Sequence, residues 1–165
     1  MAKPGKKAKK TSAGDDKNER VIADNRKARH NYNVLDTLEC GIVLAGSEVK
    51  SLRSGQLSLD EAYGRVEGDE VWLVGANIAE YAYSHALNHV PKRRRKLLLH
   101  RREIRKFAGQ AFEKGLTLVP LKMYFKAGRA KVLLGICRGK QKHDKREATK
   151  KRETQRDIDR ALRRR

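Results

Sequence analysis

The 165-residue sequence is poor in cysteine, proline, aromatic residues and negative charge, and each shortage closes off an option. Its two cysteines, Cys40 and Cys137, stand far apart with no C-x-x-C pair. Neither a zinc site nor a disulfide framework is expected, and both read as small strand hydrophobes. No apolar run approaches the ~20 residues that span a bilayer. The Lys-rich N-terminus leads into no apolar secretory segment, so a cytoplasmic protein with no membrane partner is expected. A glycine-rich phosphate loop and a nucleophile elbow are both missing. His85 and His89 have i, i+4 spacing but no Glu between them, and they run into Pro91, which favours a loop over zinc ligands. Asp60 and Glu61 are the best acidic pair, yet neighbours in sequence do not face a common point. No enzyme is expected, and no metal or cofactor.

What the sequence has is positive charge: 40 Lys and Arg against 20 Asp and Glu, a formal net charge of +20. Such self-repulsion calls for a polyanion, and a nucleic acid is the natural partner. The length suits one domain with tails. Residues 1–20 hold seven basic and three acidic side chains among Gly, Pro and Ser, and read as a disordered basic leader. Residues 139–165 hold twelve basic and five acidic, as a basic tail, and the body between, 21–138, remains basic.

In the body, "YNVLDTLECGIVL" predicts two strands joined at a bulge or bend around Gly41. "SEVKSLRSG" predicts a single helical turn closed by Gly55. "EAYGRVEGDEVWLVGANI" predicts a hairpin turning at Glu67-Gly68-Asp69-Glu70, and "TLVPLKMYFKAGRAKVLLGI" a second one turning at Lys126-Ala127-Gly128-Arg129. Between them, Ile104, Phe107, Ala108, Ala111 and Phe112 form a helical stripe ending before Gly115. Five or six short strands with one helix predict a mainly β, α+β fold: a small oligonucleotide-binding-type barrel.

The basic run Lys92 to Lys96, followed by Arg101 and Arg102, has no nearby counter-charge in sequence and reads as a phosphate contact. "NRKARHNY" sets Asn25, Arg26, Lys27, Arg29 and His30 beside Tyr32. Arg can fork onto phosphate or stack on a base, and Asn and Tyr can bond base edges or sugar hydroxyls; a basic strand is the plainer alternative. In the tail, Asp144 and Glu147 have capping-box spacing, so a helix is predicted from about Lys145. Beyond Gly139 only Ala148, Ile158, Ala161 and Leu162 are aliphatic, too few to dock on the barrel. The tail is therefore expected to fold only against a polyanion, where its 27 residues would reach about 40 Å as one helix.

From about Asn25 onward the ordered stretches "NRKARHNY", "ECGIVLAGSEVKSLRSG", "EVWLVGANI", "RKLLLHRREI", "YFKAGRAKV" and "GKQKHDKR" resemble the small protein B family, the tmRNA-binding partners of bacterial trans-translation. The resemblance implies a barrel that clasps the tRNA-like domain of tmRNA and rescues stalled ribosomes. It implies a tail that enters the empty mRNA channel of the small subunit near the decoding centre. Alanyl-tmRNA carried by elongation factor Tu is the implied delivery complex, with the protein a monomer. By motif, Asn25, Glu39 and Leu98 match tmRNA-binding positions, adjoined by Arg26, Lys27, Arg29, Lys96 and His100. An acid such as Glu39 would accept bonds from base amino groups. Gly139, Lys140, Gln141 and Lys142 match a hinge-like lead-in, and His143, Asp144, Lys145 and Arg146 the decoding-centre contact. The chain departs from the family in having Thr154 where a Trp is common, and Val90 before Pro91. A general ribosome-assembly or RNA-chaperone factor is the alternative reading.

Overall fold

The computed structural model describes residues 19–84, 88–111, 116–141, 153–154, 156–160 and 162. In chain order the elements are β1 (Glu19–Asp24), α1 (Arg26–Asn31), β2 (Tyr32–Ile42), α2 (Gly46–Arg53), β3 (Leu57–Ser58), β4 (Tyr63–Glu67), β5 (Glu70–Val74), β6 (Asn77–Ile78), β7 (Arg95–Leu98), α3 (Arg101–Ala111), β8 (Leu116–Lys126) and β9 (Arg129–Gly139). The large sheet runs β1-β8-β4-β5-β7-β2-β9, and β8 also pairs with β9, so six of its strands close into a ring. Closure removes the free edges that an open sheet would leave. The fold is α+β and strand-rich, as expected, but β2, β8 and β9 are eleven residues long rather than short.

Closure occurs at β8. Near its start, Leu118 pairs with Gly64 of β4; near its end, Lys122 to Lys126 pair with β1. Between the two lies a bulge at Pro120 and Lys122 in the β8–β9 pairing. A proline in a strand is tolerated at such a bulge because it has no N–H to give to a ladder. Leu73, Leu97, Met123, Val132, Leu134 and Ile136 of the ring strands form one buried core with Ile78 of β6 and Ile104 and Phe107 of α3. Burial of these side chains on folding, about 1.5–3 kcal/mol each, supplies the main driving force.

Both predicted hairpins form. Glu67 pairs with Glu70 across Gly68, whose φ is +58°, and Lys126 pairs with Arg129 across Ala127 and Gly128, at φ +48° and +75°. Two consecutive left-handed residues match the twist of the strands they join. Helix α3 forms as well, with Ile104 and Phe107 of the predicted stripe buried; Phe112 and Gly115 lie outside the described residues.

Four local expectations are corrected. Strand β2 is continuous through Gly41, with its bulge earlier, between Val34 and Asp36, because β9 offers an unbroken partner along its length. The predicted single turn is the eight-residue helix α2, begun by the Glu48 carboxylate accepting the Ala45 N–H at 2.7 Å. Glu19 and Arg20, read as leader, belong to β1, since β8 is long enough to pair with them. Gly139, matched to the start of a hinge-like lead-in, is the last residue of β9, paired with Tyr32.

The tail differs too. The described residues 153–154, 156–160 and 162 are already helical and exposed in the single chain, where helix was expected only against a polyanion. Arg160 and Asp157, 3.9 Å apart at i, i+3, show the kind of ion-pair support that favours it. Residues 142–152 lie outside the described residues.

Candidate nucleic-acid interface

The basic run does not present five free cations. Arg95 is fully buried; its Nε lies 2.8 Å from Glu48 Oε1, and its guanidinium also donates to the carbonyls of Ala76, Arg93 and Pro91. Arg93 binds the same Glu48. Burial alone would push the Glu48 carboxyl up, but bonds from Arg93, the Ala45 N–H and Arg95 outweigh it and hold it below its ordinary value. Lys92 pairs with Glu61, Arg94 with Glu67 while lying 5.0 Å from the Trp72 ring centre, and Lys96 with Glu70. Five cations share four carboxylates, so the expectation of a cluster without counter-charge is corrected. The run builds the barrel wall more than it offers charge. Its continuation Arg101 also pairs, with Asp69 at 3.1 Å, whereas Arg102 is exposed on α3.

Asn25 is likewise structural. It is buried, its Oδ1 caps α1 by accepting the Ala28 N–H at 2.9 Å, and its Nδ2 donates to Leu59 O at 2.9 Å and Pro120 O at 3.1 Å. Its own N–H bonds Leu121 O at 2.8 Å. Asn25 thus fills the gap on β8 between the rungs to β4 and to β1. Both amide hydrogens are donated inside the protein. Asn25 positions α1.

That helix, not the plainer strand, displays the residues of "NRKARHNY". Arg26, Lys27, Arg29 and His30 are exposed; Lys27 pairs with Asp60 at 2.7 Å and Arg29 with Asp24 at 3.4 Å. Arg26 has no carboxylate partner among the described residues. Tyr32 is half-buried and lines a 310 Å³ cleft with Lys27, Asn31 and Tyr63. Lys140 closes the end of α1: its N–H donates to Asn31 O at 2.9 Å and its Nζ to Arg29 O at 3.1 Å. A cation there suits the negative end of the helix dipole. Gly139 and Lys140 are therefore fastened to the body. Gln141 is exposed beyond them, and Lys142, His143, Asp144, Lys145 and Arg146 lie outside the described residues.

Three other predicted residues meet in one place. Glu39, Leu98 and His100 line a groove of about 730 Å³ together with Glu103, Arg129 and Lys131. Leu98 is 52% exposed, not core, and its partner across the ladder is Gly41, where an added Cβ would lie 3.2 Å from Leu98 Cβ. Glycine there lets the strands meet and leaves the leucine standing at the groove wall. Glu39 accepts a hydrogen bond from the Tyr124 hydroxyl and lies 3.6 Å from Lys126 Nζ and 3.5 Å from Lys131 Nζ. The Tyr124 bond first, then the two lysines, hold its carboxyl below the ordinary carboxylate range despite the opposing effect of burial. Glu39 is thus an ionised anchor for two cations.

Tyr124, Lys126, Arg129 and Lys131 were not singled out by the sequence reading. The signal was the second hairpin: Lys131 pairs with both Gly41 and Tyr124, two rungs from Glu39 and on its face of the sheet. His89, the other unassigned imidazole, is buried with its ring nitrogens 3.0 Å from Ser47 Oγ and 3.1 Å from Ile78 O; His85 lies outside the described residues. Both cysteines are buried, and burial pushes the Cys40 thiol up to about 12 and that of Cys137 to about 11.

The family model described as SmpB protein matches residues 22–164. An SsrA-binding protein of Rhodopirellula baltica is 56% identical over 144 residues, covering 87% of this chain and 82% of that one. One from Mycolicibacterium vanbaalenii is 52% identical over 158 residues, 96% of each. A solved chain from "tmRNA-SmpB: a journey to the center of the bacterial ribosome" matches with TM-score 0.63 at 48% identity, covering 77% of this chain and 93% of that chain. A barrel of this topology, with its acid-anchored basic groove and a family match over almost its whole length, belongs to the SmpB family.

Proposed function

We propose that this chain is a non-enzymatic RNA-binding factor that takes hold of the tRNA-like domain of tmRNA and brings it to stalled ribosomes for trans-translation. The observation that carries this reading is the convergence of Glu39 with the sequence-distant Leu98 and His100 on one groove lined also by Arg129 and Lys131, with Lys126 paired to Glu39. Arg and Lys there meet phosphate, Leu98 gives an apolar surface for a base or sugar face, and His100 can stack or donate. Arg26, Lys27, Arg29 and Tyr32 on and beside α1 form a second contact, with Asn25 holding that helix in place. Lys96 contributes by exchanging Glu70 for phosphate.

The tail carries the second half of the function. Gln141 to Arg146 lead it toward the small-subunit decoding centre, and an empty mRNA channel admits it as a helix. Delivery proceeds with alanyl-tmRNA on elongation factor Tu, the protein acting as a cytoplasmic monomer. Competition of tmRNA against ordinary tRNA at one ionic strength tests the reading. A clear preference for tmRNA is expected; equal affinities mark a general RNA-chaperone factor instead.

A further inference from the structure

The loop after β6 carries two tyrosines that no part of the site above uses. Tyr83 is 83% exposed, and its ring stands 5.5 Å from that of Tyr81 at 62°, edge to face. Lys50 of α2 lies 5.3 Å from the Tyr81 ring centre. One turn on, α2 ends at Arg53, whose carbonyl accepts a bond from the guanidinium of Arg20 at 3.2 Å. Lys50 thus stands beside the Tyr81 ring, with Arg53 three residues on along the same helix and Arg20 bonded to its carbonyl.

The Tyr81 backbone is held in place. The side chain of Asn88 accepts the Tyr81 N–H at 3.1 Å and donates to the Tyr81 carbonyl at 3.0 Å. Next to it, His89 is wedged between Ser47 and Ile78 O. Leaving a tyrosine so exposed forgoes the burial that usually stabilises an aromatic ring. A pinned backbone, an open ring face and flanking cations are what an unpaired nucleobase with its phosphates requires: stacking that tolerates any base, and charge along the backbone.

We propose that Tyr83, braced by Tyr81, is a stacking site for an unpaired base of the same RNA that fills the Glu39 groove, with Lys50 and Arg53 on its phosphates. The source follows from α2, which gives Val49 to the groove and Lys50 to the tyrosines, so one RNA can cross the helix from one site to the other. This inference rests on the RNA-binding reading above.

The test uses the full-length protein, the tRNA-like domain of tmRNA, an ordinary tRNA and purified ribosomes. Tyr83→Leu, which keeps an apolar side chain but loses the π face, should weaken tmRNA-domain binding at least about fivefold, and Tyr83→Phe should not. Tyr83→Trp should bind as the unsubstituted protein does, with its added emission quenched by the RNA. Equal affinities of Tyr83→Leu and the unsubstituted protein for the tmRNA domain overturn the inference while leaving the function intact. A loss confined to ribosome binding overturns it too, by assigning the base to ribosomal RNA. If the unsubstituted protein does not prefer tmRNA to tRNA, it is the functional reading that fails.

Discussion

Arg95 and Glu48 form an ion pair with both side chains wholly out of solvent, Nε to Oε1 at 2.8 Å, joining β7 to the first turn of α2. Two charges so placed repay their desolvation only because every other polar atom is also engaged: Glu48 by Arg93 and Ala45, Arg95 by three carbonyls. Removing Glu48 leaves Arg95 buried without a counter-ion. Glu48→Ala should cost about 3–5 kcal/mol of folding stability, read from urea denaturation.

The same pair sets a response to acid. The Glu48 carboxyl is lowered in the folded state, so its contribution is fully present above the ordinary carboxylate pKa and is lost as pH falls through the lowered folded value. Glu48→Gln should therefore be clearly less stable than the unsubstituted protein at neutral pH. The gap between their denaturation midpoints should narrow at the acid end.

Asn25 yields a prediction that separates positioning from contact. Asn25→Ala uncaps α1 and strands the carbonyls of Leu59 and Pro120, and it should lower stability by about 1–3 kcal/mol. It should also weaken tmRNA binding by misplacing Arg26 and Lys27. Asn25→Asp keeps the cap to Ala28 but sets a buried carboxylate against the Leu59 and Pro120 carbonyls, so calorimetry should find it at least as destabilised as Asn25→Ala.

Within the groove, Tyr124→Phe removes the hydroxyl that holds Glu39, and Glu39→Gln removes the charge that gathers Lys126 and Lys131. Each should weaken tmRNA binding about tenfold or more, as for loss of a charge-assisted bond, with the thermal midpoint little changed. Unchanged affinity on a filter-binding assay would take Glu39 out of the interface.

Truncation should start after Gln141. Removing residues 142–165 should leave tmRNA affinity nearly intact and abolish peptide tagging on stalled ribosomes. Cutting before Gly139 should in addition weaken tmRNA binding, since Gly139 is a rung of β9 and Lys140 closes α1.

Ala127 sits at φ +48° in a two-residue turn, where an L-residue with a Cβ is strained and Asn or Gly is preferred. Ala127→Asn should raise stability by up to about 1 kcal/mol in a thermal melt.

The hairpins and α3 were legible in the sequence because their signals are local: alternating apolar residues around a turn, and a stripe at helical spacing. The gathering of Glu39, Leu98 and His100 was legible only through family resemblance, since no local pattern tells which rungs β2, β7 and β9 share. The basic run Lys92 to Lys96 misled for the same reason. Its carboxylates lie 26 to 47 residues earlier, on α2, the Asp60-Glu61 turn and the first hairpin, and the ring alone brings them to it. Asn25 differs: its residue type suits a base edge as well as a cap, and only the fold reveals the cap.

Because the Lys140 N–H is bonded to the carbonyl end of α1, whatever seats that short helix also seats the root of the C-terminal 24 residues. If the appendage were one straight rod it would run about 36 Å, and a ~10° rotation at its root would sweep the tip by about 6 Å, roughly the width of a base. A ligand that shifts α1 through Arg26 should therefore also shift Lys140 at the root of the tail, which a distance measurement between labels on α1 and at position 141 would register.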